Sequence, residues 1–478
     1  MALSHRSTPS RCLQAAATSL AAVALLGACA AIPDRAHRAA TQVVSQELQA
    51  QRLPGVAFAV VQGGQVRQAQ GLGSANLEHG VPVTPDSVFQ SGSLGKQFTA
   101  VAVMLLVEDG RLSLDDPIAR HLPQAPAAWA AITVRHLLTH TSGLPPDDDT
   151  LDLQRDQGED ELVQRAFALP LLFPPGQRWS YSNVGYVLLG AVIRQASGQF
   201  YGDLLQAHVF TPLGMSSARV ISESALVPHR VAGYRLVDGQ WLNQEWVAPG
   251  LNTTADGSLY LSLRDWLRWA QALRQREVLQ PASWDEVFRP VRLRSGRTYP
   301  YGFGWELPDG RGPAAYQHSG AWQGFSTAYL HALDEDLTVV VLSNLADADP
   351  VRVAHRVAWA HQPSLRPPAP QPIPFPDPAL TARVQALLAS AAAGRLGPAD
   401  FEFLPPGFFP QEAEALGRLL AGPGPLRGLE LLQRQPLGDD TVLHCRLRWG
   451  EQPLRLALGL GPGGGLTRFE LWPEPPPD

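Results

Sequence analysis

The sequence predicts an α/β fold in which strands from both ends of a main body enclose an inserted helical region, followed by a small α+β domain. Strand patterns occur at two places, Gly55–Val61 with Gln65–Leu72 and Phe325–Leu333 with Leu337–Ser343. The segment between them, from about 115 to 290, is mostly helical by its apolar spacing. The 478 residues are enough for more than one domain, and a hydrophobic content of 45% is that of a globular protein.

The individual elements of the main body follow from local signals. The Gly63-Gly64 pair separates the first two strands and indicates a hairpin. Apolar residues then recur at helical spacing after Ser93, and Gly110 ends that helix. A second apolar helix is predicted over Val184–Ala196, and a third, over Val351–Trp359, closes the main body.

A change of composition marks the end of this body. Residues 363–378 contain eight prolines and are predicted to form a semi-rigid linker between a domain at 41–362 and a second domain at 379–478. Cys445 lies on the apolar side of an alternating strand pattern, so we interpret it as a core thiol. The C-terminal elements are predicted over Leu380–Ala393 as a helix, and over Leu429–Leu432, Thr441–Trp449, Leu454–Leu460 and Leu466–Leu471 as strands.

The N-terminus has the pattern of an export signal. A positively charged start precedes a short uncharged apolar core, and residues 1–28 are predicted to be removed. The end of this core, Leu26-Gly27-Ala28-Cys29, resembles the lipobox of bacterial lipoproteins, which implies cleavage before Cys29 and a lipid on its thiol. The alternative is ordinary cleavage after Ala30. With the lipid, residues 29–40 are a tether that holds a periplasmic or cell-surface protein to a bacterial membrane.

The charged residues narrow the function classes. A net charge of −6 gives no reason to expect a nucleic-acid partner. Lys96 is the only lysine among the 38 Lys and Arg residues of the chain. Arginine stays protonated, whereas a buried lysine can lose its proton, so a position that keeps an amine is a candidate for acid–base chemistry.

The residue three positions before this lysine is a serine. On a helix, that spacing places Ser93 and Lys96 on one face, one turn apart. Free backbone N–H groups in a first helical turn would favour an anion that develops beside Ser93. An alcohol needs a neighbouring base to attack a carbonyl, and a desolvated lysine can be that base. The pair is therefore a candidate for nucleophilic catalysis.

Two further segments complete a known pattern. Tyr181-Ser182-Asn183 precedes the second apolar helix, and His318-Ser319-Gly320 lies on a predicted strand. Together with Ser93-x-x-Lys96 they resemble the signature of the serine penicillin-recognising enzymes. The Tyr-x-Asn form is most similar to class C β-lactamases and to the related D-alanyl-D-alanine peptidases and esterases. The segments Ile132–Leu144 and Asp256–Leu259 are also typical of that family.

The resemblance implies a β-lactamase-like antiparallel sheet flanked by helices, and a serine hydrolase that works through an acyl-enzyme. Ser93 would be the nucleophile and Lys96 its proton acceptor. Tyr181 would pass the proton to the leaving group and activate the deacylating water. Asn183 would hold Lys96 and the amide side of the substrate. The backbone N–H groups of Ser93 and Ala321 would form the oxyanion hole.

The third motif departs from the family pattern. His318, Ser319 and Gly320 would bind the substrate, but His318 stands where class C β-lactamases usually carry lysine. An imidazole is a weaker anchor for a substrate carboxylate than an ammonium group. This favours a peptidase or esterase, while a true β-lactamase and a non-catalytic scaffold or sensor on the same fold remain alternatives.

No metal or cofactor is expected. His136 and His140 are four residues apart, but no third ligand accompanies them at metalloprotease spacing, so a structural role is favoured. The chain has no Gly-x-Ser-x-Gly elbow, phosphate loop or dinucleotide fingerprint. The expected partners are a small-molecule, peptide or ester substrate, with cell-wall peptide among the candidates, and a membrane through Cys29.

Overall fold

A six-stranded antiparallel sheet forms the centre of the main body in the computed structural model. The structure describes residues 35–147, 151–405, 407–420 and 424–474. The predicted export signal at 1–28 and the candidate lipidation site Cys29 lie outside these ranges. Across the ranges described, no helix is both long enough and apolar enough to cross a membrane.

Strands from both ends of the main body meet in this sheet. In order across the sheet, the strands are β11 (Ala315–Trp322), β12 (Phe325–Ala332), β13 (Leu337–Ser343), β1 (Gly55–Gln62), β2 (Gln65–Asn76) and β3 (Val81–Pro82). The antiparallel pairing of β1 with β13 joins the two halves of the body. The predicted fold class, with strands from both ends around an inserted region, is therefore confirmed.

β1 is buried on both faces because helices cover both sides of the sheet. Its side chains alternate between two cores. Ala57 and Ala59 pack into the core that contains the inserted helices, whereas Phe58 and Val60 pack into the core on the opposite face. This arrangement explains why the sequence of β1 is a continuous apolar run rather than an alternating one.

Two helices from opposite ends of the body cover the second face. They are α1 at residues 35–50 and α10 at Pro350–His361. Glu47 of α1 has no exposed surface and pairs with Arg352 of α10 at 3.0 Å, which ties the helices together. α1 begins within the segment 29–40 that the sequence assigns to a tether, so helical structure starts before residue 41.

The inserted region, which in the structure runs from β3 to β11, holds most of the helices, but it is less purely helical than its pattern predicts. Its helices are α2 (Lys96–Glu108), α3 (Val134–Leu138), α4 (Glu159–Phe167), α5 (Asn183–Ser197), α6 (Tyr201–Leu205), α7 (Thr211–Leu213), α8 (Leu263–Gln275) and α9 (Pro281–Val287). Its short strands are β4 (Val88–Gln90), β5 (Arg219–Val220), β6 (Tyr234–Val237), β7 (Gln240–Asn243), β8 (Leu259–Ser262), β9 (Val291–Arg292) and β10 (Thr298–Tyr299). Strands of two to four residues are too short to show an alternating pattern, which explains why the sequence did not indicate them.

The C-terminal region is a helical layer on a four-stranded antiparallel sheet. Its elements are α11 (Pro378–Ala392), α12 (Ala413–Leu420), β14 (Leu426–Leu437), β15 (Asp440–Trp449), β16 (Gln452–Leu460) and β17 (Leu466–Pro473). Cys445 is buried in the core of this region, and burial raises the pKa of its thiol to about 12. A protonated, buried thiol fits the predicted core role.

The proline-rich segment before α11 contacts both bodies. Leu365 is buried against the main body, and the backbone N–H of Ile373 donates to the carbonyl of Leu431 at 2.7 Å. The first residue of β15 also reaches the main body, where Asp440 pairs with Arg178 at 2.6 Å. Arg178 lies three residues before Tyr181, so the C-terminal sheet rests beside the segment that carries a candidate site residue.

Candidate active site

Ser93 lies in a single 3₁₀ turn, Gly92–Gly95, immediately before α2. The prediction placed this serine in the first turn of the α-helix itself, whereas the α-helix begins at Lys96. Gly92 has a φ of 53°, and a Cβ at this position would come within 2.6 Å of the backbone nitrogen of Ala321. Only glycine therefore allows the turn to approach β11 this closely.

Lys96 is the centre of the site and has no exposed surface. Its Nζ lies 2.9 Å from Ser93 Oγ, 2.7 Å from Asn183 Oδ1 and 2.7 Å from the carbonyl oxygen of Asp256. An amide oxygen and a carbonyl can only accept hydrogen bonds, whereas a hydroxyl can also donate. A neutral Lys96 amine would therefore give its two hydrogens to Asn183 and Asp256 and turn its lone pair towards the Ser93 hydroxyl.

The electrostatic surroundings bring this amine within reach of the neutral form. Burial lowers the pKa of Lys96 to about 8, and the carboxylates of Asp256 and Asp147 oppose that shift only in part. Desolvation disfavours the charged form of a buried lysine, as it does at other sites where a lysine acts as a base. Lys96 can thus accept a proton from Ser93 near neutral pH.

Asn183 is the first residue of α5 and holds Lys96 from the opposite side of the cleft. Its Nδ2 donates to Asp147 Oδ1 at 2.8 Å, which leaves Oδ1 directed at the lysine. The N-cap of α5 is Ser182, whose hydroxyl accepts from the backbone N–H of Gly185. This leaves the Asn183 side chain available to the cleft.

Tyr181 lies between Lys96 and a histidine beneath the site. Lys96 Nζ is 4.9 Å from the centre of the Tyr181 ring. The centres of the Tyr181 and His140 rings are 4.2 Å apart, and the two rings are tilted relative to each other. Burial raises the pKa of the Tyr181 phenol well above its ordinary value, and contact with the Ser93 hydroxyl offsets part of that rise. The phenol oxygen is buried and makes no hydrogen bond of standard geometry within the described protein. It is therefore free to bond a reacting group at Ser93.

β11 forms the other wall of the cleft, next to the Ser93 turn. Gly320 packs so closely that a Cβ there would lie 2.2 Å from the carbonyl oxygen of Ser91. Thr327 of the neighbouring strand donates to that same carbonyl at 2.7 Å and fixes the turn against the sheet. Ser319 is half-buried and Ala321 is exposed, so the strand presents its backbone beside Ser93. The close approach of the turn and the strand places the backbones of the two predicted oxyanion-hole donors, Ser93 and Ala321, beside each other.

His318 reaches the site from the same strand but faces inwards. Its Nδ1 lies 2.6 Å from the carbonyl oxygen of Ser319, and its Nε2 lies 2.9 Å from the Tyr301 hydroxyl. Burial lowers the pKa of His318 to about 4, and Lys96 contributes to the shift. The imidazole is therefore neutral at pH 7 with both nitrogens bonded to protein atoms, and it offers no positive charge to a substrate carboxylate.

Three groups at the site have no catalytic or binding role among the sequence predictions. The Asp256 carbonyl holds Lys96, and it belongs to a segment that was recognised only as typical of the family. The sequence favours a structural role for His140 over metal binding, and His140 bonds Tyr301. Tyr301 is fully buried and had no signal at all in the sequence. In the parts of the chain that the structure describes, no group of three or more His, Cys, Asp or Glu side chains could hold a metal ion.

Comparisons with known proteins identify the family of the chain. A family model described as Beta-lactamase matches residues 40–378. Penicillin-binding protein 4* of Bacillus subtilis (strain 168) is 34% identical over 312 residues, which are 59% of this chain and 66% of that protein, less than two thirds of its length. Esterase EstB of Burkholderia gladioli is 31% identical over 354 residues, which are 64% of this chain and 89% of the esterase.

A solved structure shows the same fold. The D-amino acid amidase of Ochrobactrum anthropi SV3, crystallised with L-phenylalanine amide, is 26% identical with a TM-score of 0.60. The match covers 68% of this chain and 99% of the amidase. The resemblance that rested on the Ser93, Tyr181 and His318 motifs is thereby confirmed. Since the family model matches well over half of its length, the chain belongs to the Beta-lactamase family.

Proposed function

We propose that this chain is an exported serine hydrolase that acts by acyl transfer through Ser93 on an amide, D-peptide or ester substrate. The observation that carries the proposal is the 2.9 Å contact between Lys96 Nζ and Ser93 Oγ, made by a buried amine whose other two partners only accept hydrogen bonds. Relatives named as a penicillin-binding protein, an esterase and an amidase support chemistry of this class.

In the acylation step, the Ser93 hydroxyl gives its proton to Lys96 Nζ while Oγ attacks the substrate carbonyl carbon. The carbonyl π electrons move to oxygen, and the backbone N–H groups of Ser93 and Ala321 bind the resulting oxyanion. The oxyanion then re-forms the carbonyl and expels the leaving group. The Tyr181 hydroxyl donates a proton to that leaving group and is reprotonated by the Lys96 ammonium. The products of this step are an acyl-Ser93 ester and a free amine or alcohol.

In the deacylation step, water attacks the acyl-Ser93 ester. Tyr181 and Lys96 take one proton from the water, and the same oxyanion hole binds the second tetrahedral intermediate. The proton returns to Ser93 Oγ as the ester bond breaks, and a carboxylic acid leaves. Every proton in the cycle moves among three side chains of this protein, the substrate and water.

The surroundings of His318 narrow the substrate class. β-Lactams carry a carboxylate beside the reacting ring, and a cationic anchor on this strand would bind it. A neutral imidazole with both nitrogens engaged lacks that charge. This favours D-peptide and ester substrates that carry no carboxylate beside the bond to be cleaved, over a true β-lactamase activity.

The test is to incubate the protein with a fluorescent penicillin and with a fluorophosphonate, and to follow intact mass over time, with Ser93→Ala as the control. The proposal expects a fluorophosphonate adduct on wild-type protein that is absent from the variant. A stable penicilloyl adduct favours a peptidase, or a sensor if no substrate is turned over, whereas rapid penicillin turnover identifies a β-lactamase. If neither probe labels the wild-type protein any more than Ser93→Ala, the acyl-enzyme proposal is rejected.

We also propose that the chain is exported and held to a bacterial membrane by a lipid on Cys29. The proposal rests on the apolar segment that ends at Leu26-Gly27-Ala28-Cys29. Expression in a bacterial host with an alkynyl fatty acid should label the wild-type protein but not Cys29→Ala. An unlabelled wild-type protein whose mature chain starts after Ala30 would identify ordinary signal cleavage instead.

A further inference from the structure

Three buried side chains beneath the candidate site form a continuous hydrogen-bonded chain that the steps above do not use. They are His140, Tyr301 and His318, of which His140 and Tyr301 are 1% exposed and His318 is 4% exposed. His140 Nε2 lies 3.2 Å from the Tyr301 hydroxyl, which lies 2.9 Å from His318 Nε2. Each end of the chain bonds a backbone group of one catalytic motif.

The backbone groups at the two ends dictate the direction of every bond. The N–H of Ser182 can only donate, so His140 Nδ1 accepts at 3.1 Å and a neutral ring carries its proton on Nε2. The carbonyl of Ser319 can only accept, so His318 Nδ1 donates at 2.6 Å and Nε2 has no proton. The Tyr301 hydroxyl therefore accepts from His140 and donates to His318. Among neutral rings, this is the one arrangement that satisfies all four bonds.

The chain joins the two walls of the cleft. On one side, the His140 ring lies 4.2 Å from the Tyr181 ring and bonds the backbone between Tyr181 and Asn183. On the other side, His318 bonds the backbone of β11 one residue before Gly320, where the strand meets the Ser93 turn. The Tyr301 hydroxyl bonds both imidazoles, so it links the two walls and fixes their spacing at this point.

We propose that Tyr301 is a positioning residue for the reaction at Ser93, and that its hydroxyl, bonded to His140 and His318 in opposite tautomers, aligns Tyr181 with the oxyanion strand. The inference rests on the proposed function, because it concerns the geometry of the acyl-transfer site. It also gives His140 a role, as the support of the Tyr181 ring.

Neutral histidines are essential to the chain. If His318 were protonated, both its nitrogens would donate, and the Tyr301 hydroxyl would lose its acceptor. Burial and the nearby Lys96 lower the pKa of His318 to about 4, and they also lower the pKa of His140. Among the described residues, the titratable groups that face the two rings are Lys96, Tyr181, Tyr186 and Tyr301. Glu306 is a carboxylate, but it acts on Tyr301 and not on either imidazole. Both histidines are therefore neutral at pH 7.

Tyr301→Phe tests the proposal, with Tyr234→Phe as the matched control. Tyr234 is also buried, and its hydroxyl accepts from the backbone N–H of Leu77 in the opposite core, away from the site. We expect Tyr301→Phe to lower kcat for an ester substrate by about tenfold or more with KM changed less than about threefold. Tyr234→Phe should leave both unchanged, and the two variants should lose similar thermal stability.

Two further measurements separate positioning from general damage. The first is a double-mutant cycle that combines Tyr301→Phe with His140→Asn. The kcat of the double variant should be no more than about threefold below that of the less active single variant, because the two groups act as one unit. Long-range ¹⁵N–¹H spectra of the wild-type histidine rings should show the proton on Nε2 of His140 and on Nδ1 of His318, assigned with His140→Asn and His318→Asn. The tautomer readout does not depend on activity.

The outcomes separate this inference from the proposed function. Failure of wild-type protein to acylate at Ser93 rejects the proposed function and with it the positioning role. Wild-type kcat in Tyr301→Phe, in a protein that does acylate, rejects the positioning role alone. If either histidine ring carries its proton on the other nitrogen, the proposed hydrogen bonds between His140, Tyr301 and His318 are rejected, whatever the activity.

Discussion

Lys96 Nζ lies 2.9 Å from Ser93 Oγ. Lys96 is the one lysine of the chain, and the other 37 of its 38 Lys and Arg residues are arginines. A guanidinium stays protonated at any pH a protein tolerates, so it could hold the serine but could not accept its proton. Lys96 is also fully buried, which lowers its pKa and raises the fraction of free amine. The single lysine and its burial therefore point to the same role, that of a base.

Lys96→Arg should keep the charge and lose the activity. We expect kcat/KM for an ester substrate to fall by about 10³-fold, because removing a catalytic base from a nucleophile–base pair costs about 10²–10⁴-fold or more. Arg120→Lys is the matched control, since the Arg120 side chain is 69% exposed and pairs with Asp116, a residue outside the candidate site. It should retain full activity. A Lys96→Arg variant that hydrolyses esters at a near-normal rate would show that Lys96 is not the base.

Activity should rise with pH towards a plateau above about 8. Burial lowers the pKa of Lys96 from its ordinary value of 10.5 to about 8, and only the neutral amine accepts the proton of Ser93. Below that pKa the neutral fraction falls about tenfold for each pH unit, and log kcat/KM should follow it. The measurement is kcat/KM between pH 5 and 10 on an uncharged ester. A flat profile across pH 6 to 9 would contradict this assignment.

Asn183→Asp should move that rise to higher pH. The variant places a carboxylate where an amide oxygen lies 2.7 Å from Lys96 Nζ, so the ammonium form gains a partner and the pKa of Lys96 rises. We expect the midpoint to shift upwards by about one pH unit or more. Asp147→Asn is the opposed variant, since Asp147 raises the pKa of Lys96, and its midpoint should move downwards. Shifts of the same sign in both variants would show that Lys96 does not govern the profile.

The sheet and the main motifs could be predicted because they depend on local patterns. β1 and β13 are largely apolar runs, which indicates strands that are covered on both faces. Ser93 and Lys96 lie three residues apart, so a helical turn alone brings them together. Asn183 required the family resemblance, because 87 residues separate it from Lys96.

The remaining parts of the site depend on tertiary contacts that leave no local pattern. The Asp256 carbonyl bonds Lys96 across 160 residues, and any residue type has a carbonyl. Tyr301 bonds His140 across 161 residues and His318 across 17 residues, from a turn without periodicity. The neutral, inward-facing state of His318 is also tertiary in origin, because burial sets both its pKa and its partners. A sequence shows which groups are present but not which of them are desolvated.

Gly92→Ala should strongly lower activity by displacing the backbone of Ala321, a predicted donor of the oxyanion hole, from the Ser93 turn. Gly92 has a φ of 53°, and a Cβ there would lie within 2.6 Å of the Ala321 nitrogen, so the turn and β11 must separate. Moving one of the two N–H donors costs about 10²–10³-fold in kcat, the loss measured when a donor of this kind is removed. Gly110→Ala is the matched control, because Gly110 has a φ of 67° and no atom within 4 Å of the added Cβ.

Both glycine variants share the cost of a positive φ, about 1–2 kcal/mol, so they should lose similar stability from that source. Only Gly92→Ala should also lose catalysis. Kinetics on an ester substrate and thermal unfolding, measured on both variants, separate the two effects. If Gly92→Ala folds and keeps more than about a third of wild-type kcat, a loss well short of the 10²-fold expected for a displaced donor, then Ala321 N–H is not part of the oxyanion hole.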